Sequence, residues 1–158
     1  MPKKQNKVNR KPTVAGMFYP ANEVDLRNDL THLFSNAKER QTSRVRALFV
    51  PHAGYVFSGT VAASAYNQII KDSFYEHIFI IASSHHIAAN IISTYVAGNY
   101  ETPLGNVCVD TNLTSKFMAE SNFIRYEPEA DLPEHSIEVQ LPFIQYWLHQ
   151  DCKIVPFI

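Results

Sequence analysis

Apolar residues recur at helical spacing in an early segment of the chain, between polar residues, and this pattern predicts a helix. Leucines recur over 21–40 at three- and four-residue spacing, which is typical of an amphipathic helix. Asn22 stands where it can cap the first turn of this helix. One face is therefore expected to pack against a core, through Leu26, Leu30, Leu33, Phe34 and Ala37.

Two apolar runs lack this periodicity and predict strands instead. The last four residues of 44–50 and residues 78–82 within 77–83 are continuously apolar, as in strands covered on both faces. A helix predicted over 60–71 separates them, and this order favours a right-handed crossover between parallel strands. The sequence therefore predicts an α/β fold with a largely parallel or mixed sheet flanked by helices. Further predictions are strands over 90–98 and 152–158, and a turn followed by a short strand over 101–110. Helices are predicted over 111–121 and 133–150, the last bent or started late by Pro142.

Histidines follow both of the apolar runs directly. "PHAGY" places His52 after 44–50, and "SSHH" places His85 and His86 after 77–83. In sheets of this class, ligands bind beyond the carboxyl ends of the strands. We therefore predict that His52 and His85 meet as two neutral nitrogen ligands suited to iron, copper or zinc, with a third ligand still required. The alternative for His52 is a hydrogen bond to a loop carbonyl.

A further cluster, "EHSIE", opens the last predicted helix. Glu134 and His135 are adjacent, whereas His135 and Glu138 are three residues apart and are neighbours on a helix. A carboxylate can fix the tautomer of an imidazole beside a metal ion. We therefore predict His86, His135 and Glu134 as catalytic groups, with Glu138 able to support His135. The alternative is that Glu134 and Ser136 only start the helix.

Four aromatic residues that lie near glycines are candidates for the walls of a pocket. Such a pocket would suit an aromatic or peptide ligand. Packing in the core is the alternative role for large aromatic side chains. These residues are Phe18, Tyr19, Tyr55 and Phe57.

Composition narrows the class of protein. Of the 158 residues, 46% are hydrophobic and 18% are charged, which predicts a folded domain. No stretch approaches the about 18 consecutive apolar residues that would predict a membrane helix. The two cysteines are expected to be reduced, and a cytoplasmic location is predicted. Basic residues without any acid predict a disordered tail over 1–12, followed by one domain over 13–158. The remainder is net acidic, so no nucleic-acid partner is expected.

Several motifs occur in an order that resembles the Memo family, whose bacterial and archaeal members are called AmmeMemoRadiSam system protein B. The resemblance extends from Val14 to the last residue. It implies a fold like that of the class III extradiol dioxygenases, which hold non-haem iron with two histidines and a glutamate. It also implies that His52 and His85 contribute to a similar metal-binding pocket. The motifs are "VAGMFYP", "VPHAGYVFSG", "ASSHH", "YETPLGNVCVD" and "EHSIEVQLPFIQYWL".

The sequence also departs from the family pattern. It reads "ASSHH" where the family usually has glycine-proline-serine before the histidines, and Phe18 stands where tryptophan is frequent. The resemblance implies that family members are longer and that their later half supplies an aspartate, a histidine and a cysteine to the pocket. The chain is therefore expected to be the N-terminal half of the family domain, a truncated form of the dioxygenase-like fold.

Three functions are compatible with these features. The resemblance favours a protein that binds iron or copper in a dioxygenase-like pocket and is non-enzymatic or has an unassigned redox activity. One alternative is a non-haem, metal-dependent dioxygenase or oxidoreductase that acts on a small aromatic substrate. The other is a truncated fragment without independent activity. The expected partner is a small molecule or a peptide, and the oligomeric state stays open.

Overall fold

The computed structural model describes residues 8–42, 44–88, 90–149 and 151–158. Within these ranges, no helix is both long enough and apolar enough to cross a membrane. The helices are α1 (Glu23–Ser35), α2 (Tyr55–Tyr66), α3 (Thr111–Glu120), α4 (Pro128–Asp131) and α5 (Leu141–Trp147), and a 3-10 turn over Glu138–Gln140 leads into α5. The strands are β1 (His77–Ile81), β2 (Ile92–Ser93), β3 (Tyr100–Thr102), β4 (Gly105–Val107), β5 (Ile124–Arg125) and β6 (Lys153–Phe157).

The mixed α/β class is confirmed, but the sheets are small. β1 and β6 pair in parallel, and Ile78 lies opposite Ile154 in their register. On its other side, β6 exchanges hydrogen bonds with the chain before α3, where the Asp110 amide donates to the Ile154 carbonyl over 2.9 Å. β2 and β5 form a second parallel pair. β3 and β4 form an antiparallel hairpin that turns at Gly105, whose φ of 107° favours glycine.

Two clusters of apolar side chains pack against β1, one on each side. The larger cluster fills the space between α1, α2 and α5, where the rings of Tyr66 and Phe143 stack with centroids 5.4 Å apart. The smaller cluster lies on the other side and includes Ile154. Ile78 and Ile80 of β1 contact both clusters. The carboxyl end of β1 is therefore anchored on two sides by packed side chains.

Helix α1 forms for the reasons that its sequence indicates. The Asn22 side chain accepts a hydrogen bond from the Asp25 amide over 2.9 Å, so the predicted cap is confirmed. Of the five residues predicted on the packed face, Leu26, Leu30 and Leu33 are buried, whereas Phe34 and Ala37 are only partly buried. Helix α3 is capped in the same way by Asp110, whose side chain accepts from the Leu113 amide.

The strand predicted over 44–50 does not form. No backbone hydrogen bond joins 44–50 to β1 among the described residues. Leu48 and Val50 pack against the larger cluster, whereas the Phe49 side chain between them is 100% exposed. A continuous apolar run predicts burial on both faces, but only alternate residues are covered here. The segment is therefore an extended chain that is covered on one face.

The packed part of the chain begins earlier than predicted. Residues 1–7 of the expected tail lie outside the described residues, but Arg10 is buried and its backbone bridges to Tyr100. The Arg10 amide donates to the Asn99 carbonyl over 2.8 Å, and the Glu101 amide donates to the Arg10 carbonyl over 2.8 Å. A buried arginine cannot belong to a solvated tail, so the segment from Val8 onward is part of the domain.

Some element boundaries also differ from the predictions. Helix α2 spans Tyr55–Tyr66, so it begins and ends five residues before the helix predicted over 60–71. The region 101–110, predicted as a turn and one strand, contributes to both strands of the β3–β4 hairpin. Of the helix predicted over 133–150, only α5 is α-helical. Pro142 lies in the first turn of α5, where its missing N–H costs no helical hydrogen bond.

Gly98 is expected not to tolerate alanine. A Cβ atom at this position would lie 2.3 Å from the Val8 carbonyl oxygen, which is far inside contact distance. We expect Gly98→Ala to lower the free energy of unfolding by about 1–3 kcal/mol, as measured by urea denaturation. Gly54→Ala is the control, because a Cβ there meets its nearest neighbours at 3.5 Å. Equal losses in the two variants would contradict this prediction.

Candidate metal centre

The imidazoles of His52 and His85 face each other. Their Nε2 atoms are 3.3 Å apart, and their ring centroids are 5.1 Å apart. His85 is placed by the carboxyl end of β1, four residues before it. His52 is placed by its neighbour Pro51, whose carbonyl accepts a hydrogen bond from the Gln140 side chain over 3.0 Å. Two residues that are 33 positions apart therefore share one site.

Glu134 holds the ring of His85 from the opposite side. Its Oε1 lies 3.0 Å from Nδ1 of His85, and its Oε2 accepts the His85 amide over 2.6 Å. Because a carboxylate only accepts hydrogen bonds, Nδ1 of His85 carries the proton. The lone pair of the neutral ring is then on Nε2, which points at His52. Glu134 thus fixes both the orientation and the tautomer of His85.

Glu134 is a buried carboxylate that several donors stabilise. Besides His85, the amides of His135 and Ser136 both donate to Oε1 over 2.8 Å. Burial alone would raise the pKa of Glu134, but the hydrogen bonds from His85 and Ser136 lower it to about 2. Glu134 is therefore ionised at neutral pH. Most of its lone-pair directions are already used by protein donors.

His135 completes a group of three imidazoles. Its ring stacks on that of His85 with centroids 4.8 Å apart, and it lies 6.2 Å from the ring of His52. Phe18 covers His135 edge-on, with ring centroids 4.8 Å apart. Burial lowers the pKa of His135, while the charge of Glu134 opposes that shift. His135 is consequently a neutral base beside the facing pair at neutral pH.

The donor set fits a metal ion. Two nitrogen ligands on a tetrahedral ion, each about 2.0–2.1 Å away, would be about 3.3–3.4 Å apart. The 3.3 Å between the Nε2 atoms of His52 and His85 matches that separation. A second possible set is His85, Glu134 and His135, whose ligand atoms all lie within 4.8 Å of one another. In this second set, Glu134 already accepts hydrogen bonds from His85, His135 and Ser136.

Glu138 does not support His135 as predicted. It is 0% exposed and accepts hydrogen bonds from the N-terminal segment: from Nη1 of Arg10 over 2.9 Å and from the amide of Val14 over 2.9 Å. The Tyr19 hydroxyl also donates to it over 2.8 Å. The reason is the 3-10 turn, which directs Glu138 into the core instead of along the face of His135. In the sequence, the position of Glu138 within an apolar helix face is the feature that indicates its burial.

The remaining predicted residues divide between the site, the core and the surface. Phe18 lies at the site, against His135. Tyr19 and Tyr55 are buried core residues and do not wall a pocket, since the Tyr55 hydroxyl donates to the Val139 carbonyl over 2.9 Å. Phe57 is 87% exposed on the outer side of α2. His86 is also exposed, and among the described residues it has no ring contact with the other histidines.

The family model and the similar proteins both indicate the same family. A family model described as Memo-like protein matches residues 10–158. A MEMO1 family protein of Methanobrevibacter smithii is 38% identical over 159 residues, which cover 94% of this chain and 56% of the relative. One from Thermoplasma volcanium is 39% identical and covers 94% and 55%. The chain thus spans about half the length of the curated relatives it matches. It belongs to the Memo family.

Proposed function

We propose that this chain is a metal-binding protein whose centre is the His52–His85 pair, without an assigned catalytic activity. The observation that carries the proposal is the facing of two Nε2 atoms at 3.3 Å while Glu134 holds the other nitrogen of His85. Such a carboxylate–histidine arrangement is the usual support of a metal-ligating imidazole. The chemistry that an ion would supply here is Lewis acidity or electron transfer, and these residues would hold and orient it.

The type of donor narrows the choice of metal. Neutral imidazole nitrogen suits iron, copper and zinc and is a poor match for magnesium or calcium, which prefer oxygen. The charge of Glu134 lies next to the site and would partly balance a divalent cation. Iron and copper are the ions we propose, as the family resemblance also implies. Two imidazoles leave open positions, which a small molecule or a peptide group could occupy.

Metal titration tests this proposal. The purified chain is stripped with a chelator and titrated under anaerobic conditions with Fe²⁺, Cu²⁺ and Zn²⁺. We expect one ion per chain, and we expect His52→Ala and His85→Ala each to weaken binding by more than about 100-fold, since losing a mere supporting residue costs 10–100-fold. His32→Ala, on the exposed face of α1, is the matched control and should bind as the wild type does.

Two results would overturn the proposal. The first is metal affinity that both His52→Ala and His85→Ala leave unchanged. The second is a folded wild-type chain that retains no ion, which would favour a fragment without independent activity. Circular dichroism on the same samples separates the second result from simple unfolding.

A metal-dependent oxygenase acting on a small aromatic substrate is the second candidate. The observation that favours it is His135, a neutral imidazole held 4.8 Å from the ring of His85. A base with a depressed pKa at this position can accept a proton from a bound phenol. The resemblance to extradiol dioxygenases adds weight only by analogy, because a fold does not fix a reaction.

Oxygen uptake separates the two candidates. Iron-loaded protein is mixed with catechols, and oxygen consumption is followed with an electrode. An oxygenase would consume oxygen in step with ring opening, and His135→Asn would abolish uptake while metal stoichiometry stays at the wild-type value. Uptake that is absent in wild-type protein with full iron loading would leave metal binding as the function.

A further inference from the structure

We propose that Arg10 is a positioning residue of the metal centre, which fixes the loop 131–134 and, through Glu134, the ring of His85. The inference rests on the proposed metal site for its biological meaning. The orientation of the His85 imidazole is a property of the protein alone and can be measured without a metal ion.

The guanidinium of Arg10 binds three carbonyl groups of this loop. Nε donates to the Asp131 carbonyl over 3.2 Å, and Nη2 donates to the Leu132 carbonyl over 3.3 Å. Nη2 also donates to the carbonyl of Glu134. A planar group with five fixed donors can hold several carbonyls at once, whereas a lysine ammonium is a single point of contact.

Arg10 is itself immobilised, so it is able to position other groups. Its backbone is hydrogen-bonded on both sides to the chain around Tyr100, and its guanidinium carbon lies 5.0 Å from the centre of the Tyr100 ring. Its remaining donor, Nη1, binds Glu138 over 2.9 Å. The two side chains of this ion pair are 2% and 0% exposed. A desolvated pair of this kind is rigid, because movement would leave a buried charge without its partner.

The effect reaches the metal centre through one residue. The carbonyl of Glu134 is bound by Arg10, and its carboxylate binds Nδ1 and the amide of His85. If the Glu134 backbone shifts, the carboxylate loses its alignment with both groups. The His85 ring would then be free to adopt its other tautomer, with the proton on the Nε2 atom that faces His52.

The test is Arg10→Lys, which keeps the charge for Glu138 but cannot hold all three carbonyls. Nitrogen-15 chemical shifts of the imidazoles are recorded on the metal-free protein at one fixed pH. We expect a single His85 tautomer with Nδ1 protonated in the wild type and a mixture of tautomers in Arg10→Lys. Affinity for Zn²⁺, used as the probe ion, is expected to fall about tenfold. Arg27→Lys, in the exposed pair with Glu23, is the control and should change neither quantity.

The outcomes separate this inference from the proposed function. If Arg10→Lys lowers only the melting temperature, with the His85 tautomer and the Zn²⁺ affinity as in the wild type, Arg10 is merely structural and the inference fails. If the wild type binds no metal, the proposed function fails, and the tautomer alone decides the role of Arg10. If Arg10→Lys does not fold, Tyr100→Leu loosens the guanidinium while keeping the ion pair, and Tyr100→Phe keeps the ring as its control. Tyr100→Leu must then show the tautomer mixture, or the inference fails.

Discussion

The Glu138→Ala variant is expected to lose about 3–5 kcal/mol of unfolding free energy, more than most single substitutions cost. Glu138 is fully buried and pairs with Arg10. It also accepts the Thr13 and Val14 amides and the Tyr19 hydroxyl over 2.8–3.0 Å. Alanine would leave a buried guanidinium and several buried donors without a partner, and each unmade bond carries a desolvation cost.

Urea denaturation at neutral pH measures this loss. Glu138→Gln, which keeps the size and part of the hydrogen bonding, should fall between Glu138→Ala and the wild type. Glu23→Ala removes an exposed acid that pairs with Arg27 and should cost at most about 0.5 kcal/mol. A Glu138→Ala loss as small as that of Glu23→Ala would show that the network contributes little to stability.

Asp131→Asn is expected to stabilise the protein at pH 8 by about 2–3 kcal/mol. Asp131 is fully buried, and its Oδ1 has no hydrogen-bond partner among the described residues, although Ser93 donates to Oδ2. Burial raises the pKa of Asp131 to about 6, against hydrogen bonding from Ser93 and the charge of Arg10. The native state therefore holds its proton more tightly than the unfolded chain does.

The sign of the pH dependence follows from that raised pKa. Below the ordinary value of 3.8, Asp131 is protonated in both states and the substitution should change little. Between about pH 4 and 6 the unfolded chain loses this proton first, so the wild type loses stability as pH rises, whereas Asp131→Asn does not. Denaturation curves at pH 3.5 and 8 test this. An equal gain at both pH values would contradict it, and Asp151→Asn, at an exposed acid, should give no gain at either.

The meeting of His52 and His85 could be predicted from the sequence because both histidines follow apolar segments. His85 comes four residues after β1, and strand ends of an α/β fold converge on one edge. His52 lies beside His85 although 44–50 is not a strand, and the partly buried Leu48 and Val50 pack this segment against the larger cluster. Local pattern therefore located the facing histidines, while their separation of 3.3 Å required the folded chain.

The supporting network could not be predicted for a physical reason. Arg10 occurs among other basic residues, and a local pattern of that kind indicates a solvated tail. Its burial depends on an acid and three carbonyls that lie more than a hundred residues away. In the sequence, Glu138 lies beside Ile137 and near Leu141. Helical spacing predicts a contact between Glu138 and His135. Only tertiary structure distinguishes these two pairings.

The span of the Arg10 contacts also orders events during synthesis. Arg10 leaves the ribosome before its side-chain hydrogen-bond partners, which follow 121 to 128 residues later. At about 5–20 residues per second, translation delays this pairing by on the order of 10 s. Until then Glu134 is not available to hold the ring of His85. The imidazole cluster can therefore be held by Glu134 only after residue 138 has been synthesised.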